Sequence, residues 1–132
     1  MDLYTEIILD HYKNPKNKGK LKSPTASASD SNTLCGDSIN VDILVKRVKI
    51  EDIRFDGVGC AISTASMSML TEMVKGKSLN YVINLKKAAL LKKIGIDLGP
   101  VRLKCALLGL KVLKLAVYKC LGKETKDIKD NE

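Results

Sequence analysis

A thiol and a carboxylate flank a single glycine in the stretch Asn32-Thr33-Leu34-Cys35-Gly36-Asp37-Ser38, and no second cysteine lies nearby. In an extended or turning segment, residues i and i+2 face the same way, and glycine lets the backbone bring both side chains to one point. Such a pair can hold a metal ion once further ligands arrive from other parts of the chain. The other cysteines are Cys60, Cys105 and Cys120. Taken singly, each is more often a small buried hydrophobe than a ligand. Their positions separate them. Cys35 precedes the first expected strand, Cys60 follows a glycine just before an expected helix, and Cys105 falls in the second turn of the last long helix. Each lies near the end of an element, where a packed domain can gather several segments around one point. Cys120 follows Cys105 by 15 residues, on the order of 22 Å at about 1.5 Å per helical residue. Those two sulfurs cannot share one mononuclear metal, which leaves Cys120 as a core or surface thiol.

Three thiolates need a fourth ligand to complete tetrahedral zinc or half of an iron–sulfur cluster, and Asp37 is the nearest candidate. A hard carboxylate binds soft-metal chemistry more loosely than sulfur does, so a mixed set suits release as well as capture. The alternative reading of Asp37 is a turn residue that accepts a backbone hydrogen bond. Cys-x-x-Cys knuckles, the usual mark of a closed zinc module, are absent. The residues alone lead to a three-cysteine metal site in a small α+β domain, with the inert-thiol reading beside it.

The elements that must position these groups follow from periodicity. Residues 3–13 read as an amphipathic helix with Leu3, Ile7 and His11 on one line, Tyr4, Ile8 and Tyr12 on another, and Asp2 as its N-cap; Asn14-Pro15 stops it. The only histidine, His11, lies on that stripe and is expected to be packed or hydrogen-bonded rather than a ligand. From 16 to 32 the composition predicts a mobile loop. Alternation from Ser38 to Phe55 predicts two antiparallel strands with a bulge or break near Glu51-Asp52, and a short third strand follows Gly57 through Val58 to Ile62. Ser63 is the expected cap of a helix over 64–75 that ends at Gly76. Residues 78–93 are helical, 95–99 turn, and Pro100 opens a strong helix to about Leu121. The tail over 123–132 is charged and expected to be mobile. The fold class is α+β, a small antiparallel sheet of about three strands with helices packed on one face, and residues 1–132 read as a single domain.

Composition narrows the function classes. No apolar run reaches the ~18 residues of a membrane span. The N-terminus carries two acids before its apolar residues and no basic leader pattern, so a cytoplasmic, reducing location is expected. The net charge of +8 would permit nucleic-acid binding, and Lys13, Lys16, Lys18, Lys20 and Lys22 form a basic string. Yet lysine outnumbers arginine 20 to 3, tryptophan is absent and there is one phenylalanine. Lysines spread through every segment argue against a nucleic-acid face and for an acidic protein partner.

Four blocks carry the reading further: LYTEIILDHYKNPKNKG (3–19), LCGDSI (34–39), FDGVGCAISTASMSML (55–70) and VRLKCALLGLKVL (101–113). In combination they resemble the iron–sulfur scaffold family typified by IscU, SufU and the N-terminal domain of NifU, along essentially the whole chain. The resemblance implies a protein that accepts sulfur as persulfide from a cysteine desulfurase, assembles a labile [2Fe–2S] cluster with iron, and passes it to apo-proteins. It is a scaffold rather than a self-contained enzyme. It also implies that Zn²⁺ binds at the same residues. Carried onto this sequence, Cys35, Cys60 and Cys105 match the family cysteines and Asp37 the acidic residue tied to cluster lability. Cys35 and Cys105 are then the candidate persulfide acceptors. Where the IscU branch has a histidine before the last cysteine, this chain has Lys104, as in the SufU branch. An ammonium cannot ligate, which favours Asp37 as fourth ligand and gives Lys104 an auxiliary role toward persulfide or thiolate charge. The insertion of the SufU branch is missing, and LGPVR (98–102) is loosely similar to the chaperone-recognition motif LPPVK. The second function this resemblance implies is a SufU-like zinc-dependent sulfurtransferase that activates a cysteine desulfurase.

Overall fold

Alternating apolar residues set the hairpin at the centre of the fold, β2 (Asp37–Lys46) paired antiparallel with β3 (Lys49–Val58). Ile39, Val41 and Ile43 on β2 and Ile53 and Phe55 on β3 turn one way and are buried, as the period of two requires. The computed structural model describes residues 3–33 and 36–122. The expected irregularity falls at Glu51: Leu44 pairs with Asp52 and Val45 with Ile50, so Glu51 is the extra residue of a bulge. The hairpin turn takes Arg47 and Val48 at φ +54° and +61°. Val48, inside the stretch where alternation predicts strand, is instead a turn residue, in a backbone region that β-branched side chains rarely adopt. Its carbonyl accepts the Leu79 N–H at 2.9 Å, which ties the turn to the helices.

The third strand is not where the sequence predicts it. Residues 58–62 contain the end of β3 and the start of a helix, whereas β1 (Ala26–Asn32) lies in the stretch expected to be a loop. The sheet order is β1-β2-β3, antiparallel throughout. Its sequence, ASASDSN, has no β-branched or aromatic residue, and only Ala28 is buried. The strand is held by its antiparallel pairing with β2 along its whole length and by α5 packed on it. The buried carboxylate of Asp42 ties the region together by accepting hydrogen bonds from Ser27 Oγ at 2.7 Å, Asn40 Nδ2 at 3.2 Å and the Leu21 N–H at 3.1 Å. The preceding strap runs along the open edge of β3, where the Gly19 N–H donates to the Phe55 carbonyl and the Phe55 N–H to that of Asn17. That edge is thereby covered.

The helices are α1 (Leu3–Lys13), α2 (Ala61–Val74), α3 (Leu79–Ile83), α4 (Lys87–Ile94) and α5 (Pro100–Leu121). On α1 the buried line is Ile8 rather than Leu3 and Ile7, which are exposed with Tyr4 and Tyr12. α2 begins at Ala61, and its N-cap is Cys60 rather than Ser63. The region 78–93 is split, with Ser78 capping α3 through the Tyr81 N–H at 3.0 Å. α5 has the expected bounds, with Pro100 in its first turn and Gly122 left-handed at its C-cap. α5 packs across β1 and β2 with α2 alongside, and α1 packs on α2. The α+β layout with helices on one face of the sheet is as expected. Among the described residues, no helix is long and apolar enough to cross a membrane. The expected cap Asp2, Cys35 and the tail 123–132 lie outside the described residues.

Candidate functional site

Asp37 opens β2 immediately after Gly36, whose φ of +68° suits a residue without Cβ. Its carboxylate is buried at 1% exposure and meets the junction between β3 and α2. Two glycines there allow the approach. At Gly57, with φ of +135°, a Cβ would lie 2.0 Å from the Ser38 carbonyl oxygen. At Gly59 a Cβ would lie 2.2 Å from Ser63 Oγ and 3.4 Å from Asp37 Oδ1. With both positions bare, the Cys60 N–H donates to Asp37 Oδ1 at 2.9 Å, and the Cys60 thiol lies 3.9 Å from Oδ2. Asp37 is thus an acceptor of a backbone hydrogen bond, as the alternative reading has it, and also a neighbour of the thiol.

Cys60 is held from the helix side as well. Its sulfur accepts the Ser63 N–H at 3.5 Å, and Ser63 Oγ donates back to the Cys60 carbonyl at 3.1 Å. The helix dipole and open first-turn amides of α2 favour negative charge at that cap. Cys105 reaches the same place from the second turn of α5 and is buried. One ligand atom each from Asp37, Cys60 and Cys105 lie within 4.8 Å of one another. Two thiols and a carboxylate at this separation fit the donor chemistry of Zn²⁺ or of iron in an iron–sulfur unit. Cys60 is exposed, so the group opens to solvent on one side.

The other residues singled out by sequence fall elsewhere. Cys120 is half-buried near the far end of α5, outside this group. His11 hydrogen-bonds Ser68 Oγ through Nδ1 at 2.7 Å, the packed role expected of it. Burial lowers its pKa from the ordinary 6.5. Lys104 is exposed and lines an open groove of about 440 Å³ with Asn32, Thr33, Leu107 and Lys111. Sequence reasoning noted the glycine before Cys60 and took Ser63 as a cap, but missed the part Gly59 plays in the close approach to Asp37 and the hydroxyls of Ser66, Ser68 and Thr71. The available signal was Ser63, Ser66, Ser68 and Thr71 interrupting an apolar helix, all of them buried.

Comparison with known proteins fits this architecture. The family model of the NifU-like N terminal domain matches residues 3–127. The chain is 39% identical to the iron–sulfur cluster assembly scaffold protein IscU of Aquifex aeolicus, over 92% of this chain and 78% of that protein. It is 37% identical to the zinc-dependent sulfurtransferase SufU of Bacillus subtilis, over 89% of this chain and 90% of the relative. Among solved structures, an iron–sulfur scaffold protein for the SUF system from Fervidobacterium islandicum superposes with a TM-score of 0.71 at 29% identity, covering 85% of this chain and 94% of that one. A NifU-like N-terminal protein from Brucella abortus shares the fold with a TM-score of 0.74 at 22% identity, covering 92% and 96%. The chain belongs to the NifU-like N-terminal domain family.

Proposed function

We propose that this chain is an iron–sulfur cluster assembly scaffold. It accepts sulfur as persulfide from a cysteine desulfurase, builds a labile [2Fe–2S] cluster with ferrous iron and an external electron donor that together reduce the persulfide sulfur to sulfide, and passes it to apo-proteins. The observation that carries this reading is the convergence of Asp37, Cys60 and Cys105 on one point within 4.8 Å. Cys35 is the proposed fourth member, two residues before Asp37. In sulfur delivery, a thiolate of Cys35 or Cys105 attacks the outer sulfur of the donor persulfide. The donor cysteine leaves as a thiolate, and the transferred sulfur stays bonded to the scaffold thiol. Asp37 supplies the weakest ligand, so the cluster is cargo rather than a resident group. Lys104, next to Cys105 in sequence and exposed on the neighbouring groove, is the nearby cation that would favour a persulfide anion. The compartment is reducing, and the cytoplasm meets that need.

The second reading, zinc-dependent sulfur transfer, is favoured by Lys104 and by the 37% identity to SufU. One experiment separates them: anaerobic incubation with ferrous iron, cysteine, a thiol reductant and a cysteine desulfurase. A visible chromophore that forms and moves to an apo-ferredoxin supports the scaffold. Zinc retained at one equivalent while persulfide passes supports the transferase, and neither metal nor sulfur bound contradicts both.

A further inference from the structure

α2 carries four buried hydroxyls at positions 63, 66, 68 and 71, and between them they engage three parts of the fold. Ser63 holds Cys60. Ser68 Oγ accepts the Lys16 N–H at 2.7 Å and bonds His11, fixing α1 and the strap. Thr71 Oγ1 accepts from Asn17 Nδ2 at 3.0 Å. Ser66 alone reaches across to α5: its Oγ–H donates to the Ala106 carbonyl at 2.6 Å, and both residues are buried. Ala106 is the residue next to Cys105. One turn further along α5, Gly109 faces Met67, where an added Cβ would lie 2.4 Å from the Met67 sulfur. Consecutive residues of α2 therefore clamp α5 at two points, one polar and one by shape.

We propose that Ser66 is a positioning residue for Cys105. Its hydrogen bond to the Ala106 carbonyl, aided by the Gly109–Met67 contact, fixes the register of α5 against α2 and brings the Cys105 thiol to Cys60 and Asp37. The two cysteines ride different helices, so their separation is the relative placement of those helices. A slip of α5 by one residue moves its sulfur about 1.5 Å along the axis and rotates it by about 100°, which is enough to remove it from a group only 4.8 Å across. A serine in a buried helical position has no packing advantage over alanine, and its hydroxyl is costly unless bonded. The bond to α5 is what this position provides.

The inference rests on the metal-site reading above, and Co²⁺ titration of the full chain keeps the two separable. If the parent binds no Co²⁺ with sulfur-to-metal charge transfer, the site itself is wrong and the positioning role falls with it. With the parent binding, Ser66→Ala is expected to weaken Co²⁺ about tenfold or more, the scale of a lost outer partner, and to diminish the charge-transfer band. Ser66→Thr, which keeps the hydroxyl, restores both. Leu90→Ala, a cavity in the fully buried core on α4, lowers stability but keeps the parental spectrum and affinity. Folded Ser66→Ala with parental spectrum and affinity overturns the inference, as does an equal loss in Leu90→Ala. If Ser66→Ala lacks the parental circular dichroism, Gly109→Ala, which presses on Met67 and removes no hydrogen bond, carries the test. It must lose affinity likewise, or the clamp has no role.

Discussion

Cys105 and Cys120 are the same residue type on the same helix, yet among the described residues Cys105 alone of the two is placed with other ligand atoms. Cys105 stands in the second turn of α5, buried, where α5 crosses the start of α2 and the opening of β2. Cys120 stands in the last turn, half-buried and packed against apolar neighbours. What differs is the company each end keeps. The first end meets two chain segments that carry Cys60 and Asp37 next to glycines. Among the described residues the second end joins no such group of ligand atoms, and the thiol there packs as a small hydrophobe.

The largest effect expected from this contrast is on metal binding. Cys105→Ser and Cys60→Ser should each weaken zinc by more than ~100-fold, since a direct ligand is worth more than an outer partner, while Cys120→Ser keeps the parental stoichiometry and affinity. Competition against a chromophoric chelator measures this, and equal behaviour of the 105 and 120 variants would erase the contrast. Next is Gly59→Ala. The new methyl would press on Ser63 Oγ and Asp37, so about 1–3 kcal/mol of stability should be lost in urea unfolding, as for overpacking elsewhere, together with zinc affinity. Stability lost with affinity intact would detach Gly59 from the site.

The smallest effect concerns His11, whose contact with Ser68 lies on the other side of α2. Burial holds its pKa below 6.5, so the unfolded chain binds the proton first as pH falls. Its stabilising share is complete above pH 6.5 and is lost progressively below it. The parent's urea midpoint should therefore fall more steeply below pH 6.5 than that of His11→Gln, while zinc affinity of the two stays equal at pH 7.5. Parallel midpoints across the range would contradict the assignment.

How much could be read in advance depended on where the information resides. α5 was legible because Pro100 and a leucine period mark it locally. The central hairpin was legible from alternation, and its bulge from the break at Glu51. β1 was not, because ASASDSN carries no strand propensity; its place comes from non-local pairing with β2, packing against α5 and the Ser27–Asp42 hydrogen bond. The cap of α2 also differs, with the Cys60 side chain accepting the Ser63 N–H and the Cys60 N–H donating to Asp37. Ser63 has the better capping side chain, but its hydroxyl turns back to the Cys60 carbonyl and the helix starts earlier. The site was legible in part. The distance along α5 excluded Cys120, and the four family-like blocks linked Asp37, Cys60 and Cys105. The glycines and the Ser66 bridge that let them meet emerge only once the elements are packed.

The central claim is that this group holds a cluster loosely enough to give it away, with Asp37 as the ligand that makes release fast. Its most direct test is the rate at which reconstituted parent and Asp37→Ala chains transfer their cluster to an apo-ferredoxin, followed by visible circular dichroism. Transfer several-fold slower from Asp37→Ala, with cluster content retained, is the predicted result. Equal rates from the two chains would contradict it.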